Sequence, residues 1–248
     1  REISVAGAPF VVRAASDLEG GDAPRGDLAF VALDDHHSAH YCPRLLELGY
    51  RVVDKSNTYR LDPHVPLVVA GVNHSEVREG TRLVANPNCT TIPLTLALAP
   101  IHRRWGIASV QVSTYQAISG AGAATLDTFL EGSKTGYDRA DRLGSNFDPS
   151  GYAGNVVPHA GNTDDSGFSS EELKLVRESR KILAADDLSI SAQCCRVPVA
   201  VGHYEQVWLT TKRPTSLENL ETLLEDGARS PWVKLSRGAS GEGLSSLA

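Results

Sequence analysis

The sequence predicts an α/β fold: a partial Rossmann-like, parallel-sheet domain followed by an α+β domain with a mixed sheet. Three observations carry this. Residues 28–33, 51–54, 67–70 and 83–85 are short apolar runs separated by helical or loop crossovers, the texture of strands buried on both faces of a parallel sheet. Residues 107–118 alternate instead, with Val110, Val112, Thr114 and Gln116 on one side and Gln111, Ser113, Tyr115 and Ala117 on the other. A long amphipathic helix over 171–183 then precedes two further strands, 190–199 and 205–212.

Taken in order, residues 3–6 and 10–13 read as two short strands around Gly7 and Pro9, and residues 20–24 as a loop. A helix is expected over 38–48, with Pro43 limiting its start and Gly49 stopping it. Residues 92–99 are an apolar helical run. A helix over 123–130 follows the alternating strand, and 132–154 is a polar, Gly-rich surface excursion. Ser169 or Ser170 can cap the 171–183 helix, whose apolar side carries Leu173, Val176 and Ile182. Residues 217–224 form the last helix, and a Gly/Ser-rich, disordered tail begins at Ser236. The domains are therefore expected at 1–85 (dinucleotide-binding, partial), 86–235 (catalytic and dimerisation) and 236–248 (tail).

The bulk properties narrow the function. The chain has 248 residues, 41% hydrophobic and 22% charged, with a net charge of −6 and no basic block, which argues against a nucleic-acid surface. No apolar run approaches the ~20 residues of a membrane-spanning helix. The first residues have neither signal-peptide nor transit-peptide form. The chain contains no Met and begins with Arg1, as a fragment or processed chain would. Cys42, Cys89, Cys194 and Cys195 fit no zinc spacing, so no metal site is expected. The adjacent Cys194 and Cys195 are poor disulfide partners, which points to a reducing, cytoplasmic compartment.

Chemistry concentrates around residues 85–91, Ala-Asn-Pro-Asn-Cys-Thr-Thr, where a strand turns into a helix. Cys89 at a helix N-terminus meets unpaired N–H groups and the positive end of the dipole, both of which favour the nucleophilic thiolate. Asn88 is the expected N-cap, and Pro93 is tolerated in a first turn. A buried, space-filling cysteine is the competing reading. The loop Ser119-Gly120-Ala121-Gly122 imitates a dinucleotide fingerprint but lacks its third glycine and follows an alternating strand, so it reads as a backbone loop that approaches a ligand closely. Of the eight histidines, His36, His37, His40, His64 and His74 fall in polar stretches and His102 lies beside Arg103 and Arg104, all expected at the surface; His159 sits in a Pro-His-Ala-Gly turn. His203, after Gly202 and between two strands, is the one a rigid scaffold would project, as an acid/base for Cys89. Arg196, in an otherwise apolar strand, is either half of an internal ion pair or a bidentate clamp for a substrate carboxylate.

Asn86-Pro87-Asn88-Cys89-Thr90-Thr91, the run Ser113 to Gly122 (STYQAISGAG), and Arg196-Val197-Pro198-Val199 with Gly202-His203 together closely resemble the aspartate-β-semialdehyde dehydrogenase family. Pro66-Leu67-Val68-Val69 with Val72-Asn73, Asn155-Val156-Val157-Pro158 and Glu171-Glu172-Leu173-Lys174 extend the likeness over about residues 28–212. The resemblance implies a reversible, NADP-dependent reductive dephosphorylation of aspartyl phosphate to aspartate semialdehyde, in a homodimer or homotetramer built through the second domain. It implies Cys89 as acyl-carrying nucleophile, His203 as acid/base and Gln116 as orienting group. Arg196 would hold the substrate carboxylate and Glu171 its amino group. Arg60 and Lys174 would bind phosphate beside Asn88, and Ser119, Gly120 and Gly122 would approach the cofactor. Two of its departures concern the cofactor. The family's opening Gly-rich βα turn has no counterpart in this sequence, and its later Ser-Ala-Gly-Gly-like loop corresponds to Ala32-Leu33-Asp34-Asp35, whose carboxylates would repel a nucleotide phosphate. A paralogue acting on another acyl phosphate, and a chain that keeps the fold without dehydrogenase activity, are the alternatives.

Overall fold

The computed structural model describes residues 2–20, 23–135, 151–158, 160–227 and 233. The described chain forms two compact units, one of residues 1–68 with 74–87, the other of residues 69–73 with 88–248. Residues 136–150 of the expected surface excursion, His159 and the tail from Ser236 lie outside the described residues.

The first unit contains a hairpin and a parallel sheet. Strands β1 (Glu2–Val5) and β2 (Ala8–Val11) pair antiparallel by themselves. Ala6 and Gly7 make the turn, both at positive φ. Strands β3 (Leu28–Val31), β4 (Arg51–Asp54) and β5 (Leu83–Ala85) form an all-parallel sheet in the order β3-β4-β5. Helix α1 (Asp35–Glu47) is the crossover from β3 to β4. Its packing on Val31 and Val52 through Cys42 and Leu45 makes the small core of this unit.

Three expectations change here. Helix α1 starts three residues before Ser38, because the Asp34 carboxylate accepts the His37 N–H and caps it, and Pro43 is accommodated inside. His36, His37 and His40 are accordingly helical, though exposed as expected. Residues 67–70 do not form a strand: only Leu67 makes a parallel bridge, to Ala85. Strand β3 is not buried on both faces: Ala29 and Val31 pack into the core under α1, whereas Leu28 and Phe30 on its other face are exposed.

The second unit is a four-stranded mixed sheet covered on one face by helices. Strands β6 (Ile107–Gln116), β7 (Val157–Pro158), β8 (Ser189–Arg196) and β9 (Tyr204–Thr211) are ordered β7-β8-β6-β9. Strand β6 runs parallel to β8 and antiparallel to β9. The alternation read from the sequence sets which face is buried: Val110, Val112, Thr114 and Gln116 point inward. They meet helices α2 (Thr91–Trp105), α4 (Ser170–Leu183) and α5 (Leu217–Gly227) across a core that includes Leu94, Leu98, Leu175 and Leu188. Helix α3 (Ala123–Thr135) follows β6 and runs five residues beyond its expected end, through Gly132. On the opposite sheet face Tyr115, Tyr204 and Trp208 are exposed, and the two tyrosine rings meet edge-on with centroids 5.6 Å apart.

Helix α4 corrects the apolar face read from the sequence. Its buried positions are Glu172, Leu175, Glu178, Ser179 and Ile182, whereas Leu173 and Val176 are only half-buried. The buried acids are tolerated because backbone N–H groups satisfy them. Ser169 is the N-cap, and Glu172 closes a capping box by accepting the Ser169 N–H at 2.7 Å through Oε2. Its Oε1 accepts the Cys194 N–H of β8 at 3.1 Å, fastening helix to sheet. Truncating Glu172 to Ala orphans both buried donors, so urea unfolding of the Glu172→Ala variant is expected to show a loss of about 3 kcal/mol.

Candidate active site

The register of the mixed sheet gathers the candidate residues at one end. Gln116, the last residue of β6, lies opposite Arg196, the last of β8, and Tyr115 lies opposite Tyr204, which puts His203 just ahead of β9 at the same end. The N-termini of α2 and α4 deliver Cys89 and Glu171. The loop Ile118–Ala121 is a 3-10 turn tied down by hydrogen bonds from Ile118 N to the Val199 carbonyl and from Ser119 N to the Ala200 carbonyl.

Asn88 does not serve as the formal N-cap of α2. The helix starts two residues later with Thr90 in that role, and Asn88 instead forms an Asx turn. Its Oδ1 accepts the Thr90 N–H at 2.9 Å and the Thr90 hydroxyl at 2.7 Å. Its Nδ2 donates to Glu171 Oε2 at 2.8 Å, and its own N–H donates to Glu178 Oε2 at 2.7 Å. The residue before the nucleophile candidate is therefore held on every polar atom these bonds reach.

Cys89 Sγ lies 3.3 Å from His203 Nε2 and donates to Asn88 Oδ1 at 3.7 Å. All four cysteines are free thiols, and Cys89 alone among them is exposed. The thiolate expectation based on helix position needs correcting. Close packing around the sulfur pushes the Cys89 thiol above its ordinary pKa even though the residue reaches solvent, and the Glu171 carboxylate adds to this. Arg196 and the backbone N–H groups of Thr90 and Cys89 oppose without reversing it. By contrast the fully buried Cys42 and Cys194 are pushed up to about 12, the mark of inert structural thiols.

Glu171 sits at the centre of a polar cluster. Burial alone would raise its pKa, but the Lys174 ammonium at 2.8 Å and the amides of Asn88 and Gln116 outweigh burial and hold the carboxyl below its usual range. Gln116 is fully buried, with Nε2 3.5 Å from Glu171 Oε2 and with Oε1 unpartnered among the described residues. An orphaned buried acceptor in this position suits a ligand donor. Arg196 is 8% exposed and donates through Nη1 to the Ala117 carbonyl at 2.9 Å. Among the described residues no carboxylate pairs with it, which removes the internal ion pair as its explanation.

Gly120 fits this cluster for a steric reason. A Cβ there would come within 2.7 Å of Arg196 Nη1 and 3.4 Å of His203 Cε1. Its backbone is unstrained, so Gly120→Ala should fold normally and act only by displacing those two side chains. A drop in turnover of about 10-fold with an unchanged melting temperature is expected.

Other residues expected at the site, or at the surface, have different surroundings. Arg60 belongs to the first unit, buried, with Nε donating to the Asn86 carbonyl, Nη1 to Asn57 Oδ1 and Nη2 to the Lys55 carbonyl. Its donors face protein oxygens. Asp34 and Asp35 are not free carboxylates: Asp34 caps α1, and Asp35 accepts from Asn57 N and Nδ2. His102 is half-buried rather than at the surface, its Nδ1 accepting the Ile107 N–H at 3.2 Å where α2 ends. Glu178 was not singled out from the sequence, although its seven-residue spacing from Glu171 places both on one face of α4.

The family model described as "Semialdehyde dehydrogenase, dimerisation domain" matches residues 98–244, and "Semialdehyde dehydrogenase, NAD binding domain" matches residues 14–80. An aspartate-semialdehyde dehydrogenase of Vibrio mimicus is 33% identical over 225 residues, 90% of this chain and 70% of that protein. The chain belongs to the aspartate-semialdehyde dehydrogenase family. The relative from Aquifex aeolicus is 35% identical over 202 residues, 81% of this chain. The chain spans 59% of the length of that relative and 62% of the Legionella pneumophila one. Among solved structures, aspartate semialdehyde dehydrogenase II of Vibrio cholerae complexed with ASA superposes with a TM-score of 0.81 at 29% identity, over 92% of this chain and 67% of that one. The Candida albicans enzyme with NADP gives 0.62 at 25% identity, over 84% and 57%.

The family match supports a nicotinamide dinucleotide as cofactor and points to oligomerisation. The described residues suit only part of such a cofactor. Gly122, at φ +100°, leaves open space at its Cα where a flat ring can approach. The N–H groups of Ser119, Gly120 and Gly122 are all spent on protein carbonyls, and Asp34 occupies the N-terminus of α1, so neither place cradles a pyrophosphate. No helix among the described residues is long and apolar enough to cross a membrane.

Proposed function

We propose that this chain carries the catalytic half of an enzyme that interconverts L-aspartyl-4-phosphate and L-aspartate-4-semialdehyde with NADP. The observation that supports this best is Cys89 Sγ, 3.3 Å from His203 Nε2, beside Arg196, which pairs with no carboxylate among the described residues, and a Glu171 held ionised by Lys174. In this reading Cys89 attacks the acyl phosphate carbon and phosphate leaves, giving a thioester. Phosphate departs toward Lys174, with Asn88 nearby. Arg196 clamps the α-carboxylate bidentately, Glu171 receives the α-ammonium, and the Gln116 amide orients the acyl group. NADPH supplies the hydride that reduces the thioester carbonyl, approached past Ser119, Gly120 and Gly122. His203, the acid/base group, shares its Nε2–H proton with the developing oxyanion by hydrogen bonding and keeps it as the thiohemiacetal oxyanion collapses to the aldehyde and expels the Cys89 thiolate. The exposed sheet face around Tyr115, Tyr204 and Trp208 serves assembly into a homodimer or homotetramer, and the enzyme works in the cytoplasm.

The test is NADPH formation by the full-length protein from aspartate semialdehyde, NADP and inorganic phosphate. Turnover that requires phosphate is the expected result. Turnover indifferent to phosphate, or none with this aldehyde, would overturn the reading.

A further inference from the structure

We infer that the backbone N–H of Ala117 locks His203 in the Nε2–H tautomer, so that the resting pair is a neutral imidazole donating to the Cys89 sulfur and not an imidazolium–thiolate pair. The contacts of the two ring nitrogens carry the assignment. Ala117 N donates to His203 Nδ1 at 3.0 Å, and a backbone amide can only donate, so Nδ1 must present its lone pair. The proton of the neutral ring then sits on Nε2, 3.3 Å from Cys89 Sγ. The sulfur is consistent with receiving it, because the thiol proton points the other way, to Asn88 Oδ1. A flipped ring would set carbon against both the Ala117 N–H and the sulfur and lose both bonds.

The amide cannot swing away. Ala117 is fully buried, its carbonyl accepts from Arg196, and the residues after it are tied to Val199 and Ala200. Protonating Nδ1 would bring two donors face to face. The charged groups near the ring favour the same side: burial and the Arg196 guanidinium hold the His203 pKa below its ordinary value, and the Glu171 carboxylate and Gly202 carbonyl do not reverse this.

The tautomer limits what His203 can do. Neutral His203 cannot take the Cys89 proton at Nε2, which already carries one. The thiolate forms when exposed Cys89 releases its proton to water, and the Nε2–H then stabilises it. After attack, that same Nε2–H is positioned for the substrate oxyanion. Ala117 acts through His203 and is a positioning residue. The part of this that concerns turnover rests on the proposed reaction; the tautomer does not.

Two measurements on the full-length protein test it, neither requiring activity. Nitrogen-15 NMR of the His203 ring, assigned by the signals lost in His203→Asn, should show unprotonated Nδ1 and protonated Nε2 from pH 6.5 to 9. Iodoacetamide labelling of Cys89, read by mass spectrometry, should be more than about 100-fold slower at pH 6 than at pH 9, since only thiolate reacts. A Nδ1–H or doubly protonated ring near neutrality, or labelling at pH 6 within threefold of that at pH 9, would overturn the inference. If the tautomer is found but no aldehyde is turned over, the proposed reaction fails and the tautomer assignment stands.

Discussion

Cys89→Ala is expected to lower phosphate-dependent NADPH formation by at least about 10⁴-fold while leaving the fold intact. The size follows from the role: without the sulfur there is no covalent carrier, and the remaining groups can only bind and orient. The intact fold follows from position. Cys89 is exposed, and its neighbours are held by bonds that do not pass through it: Asn88 by Glu171 and Glu178, Thr90 by Asn88. The melting temperature should therefore stay within about a degree, in line with an exposed substitution. Residual activity within tenfold of the unmodified protein would mean that another group carries the acyl chemistry.

Glu205→Gln is expected to stabilise the protein at alkaline pH and to do little at acid pH. Glu205 lies on β9 on the same side as Val207 and Leu209, in a cavity of ≈390 Å³ walled chiefly by apolar residues of α2 and β9. Among the described residues its Oε1 has no partner, and burial pushes its carboxyl up to about 8 from an ordinary 4.5. The sign follows from proton binding. Between pH 4.5 and pH 8 the folded state holds this proton and the unfolded state does not, so the contribution of Glu205 to stability falls as pH rises through that window. The cost is absent below pH 4.5 and complete above pH 8. At about 1.4 kcal/mol per pKa unit, the advantage of the Gln variant should grow by roughly 4–5 kcal/mol between pH 4.5 and pH 9. Urea unfolding at the two pH values measures it. An equal effect at both would show that the carboxylate has a partner when ionised.

Much of this arrangement was legible in the chain itself. The alternation along residues 107–116 assigned the buried face of β6, and with it Gln116, because side chains in a strand alternate by geometry alone. The strand-to-helix corner at Cys89 and the turn before His203 could be read from local composition. The errors have a common physical source. Residues 28–31 are apolar enough for a strand buried on both faces, but burial depends on what packs on each face, and Leu28 and Phe30 are left exposed among the described residues. Glu172 and Glu178 formed no part of the apolar face read for this helix, and they are buried because backbone N–H groups of Ser169, Cys194 and Asn88 lie within reach.

The sequence by itself determined the parallel-then-mixed α/β class, the nucleophile candidate and the residue types that surround it, because periodicity, turn chemistry and short motifs are local. Only the tertiary structure decided what those residues do to one another. The β6–β8–β9 register brings Gln116, Arg196 and His203 to one end of the sheet. The Ala117 amide fixes which nitrogen of His203 carries its proton. The close packing that assembles the site also raises the Cys89 thiol pKa, against what a helix N-terminus alone would do. Desolvation and hydrogen-bond direction depend on atoms distant in sequence, and no local pattern encodes them.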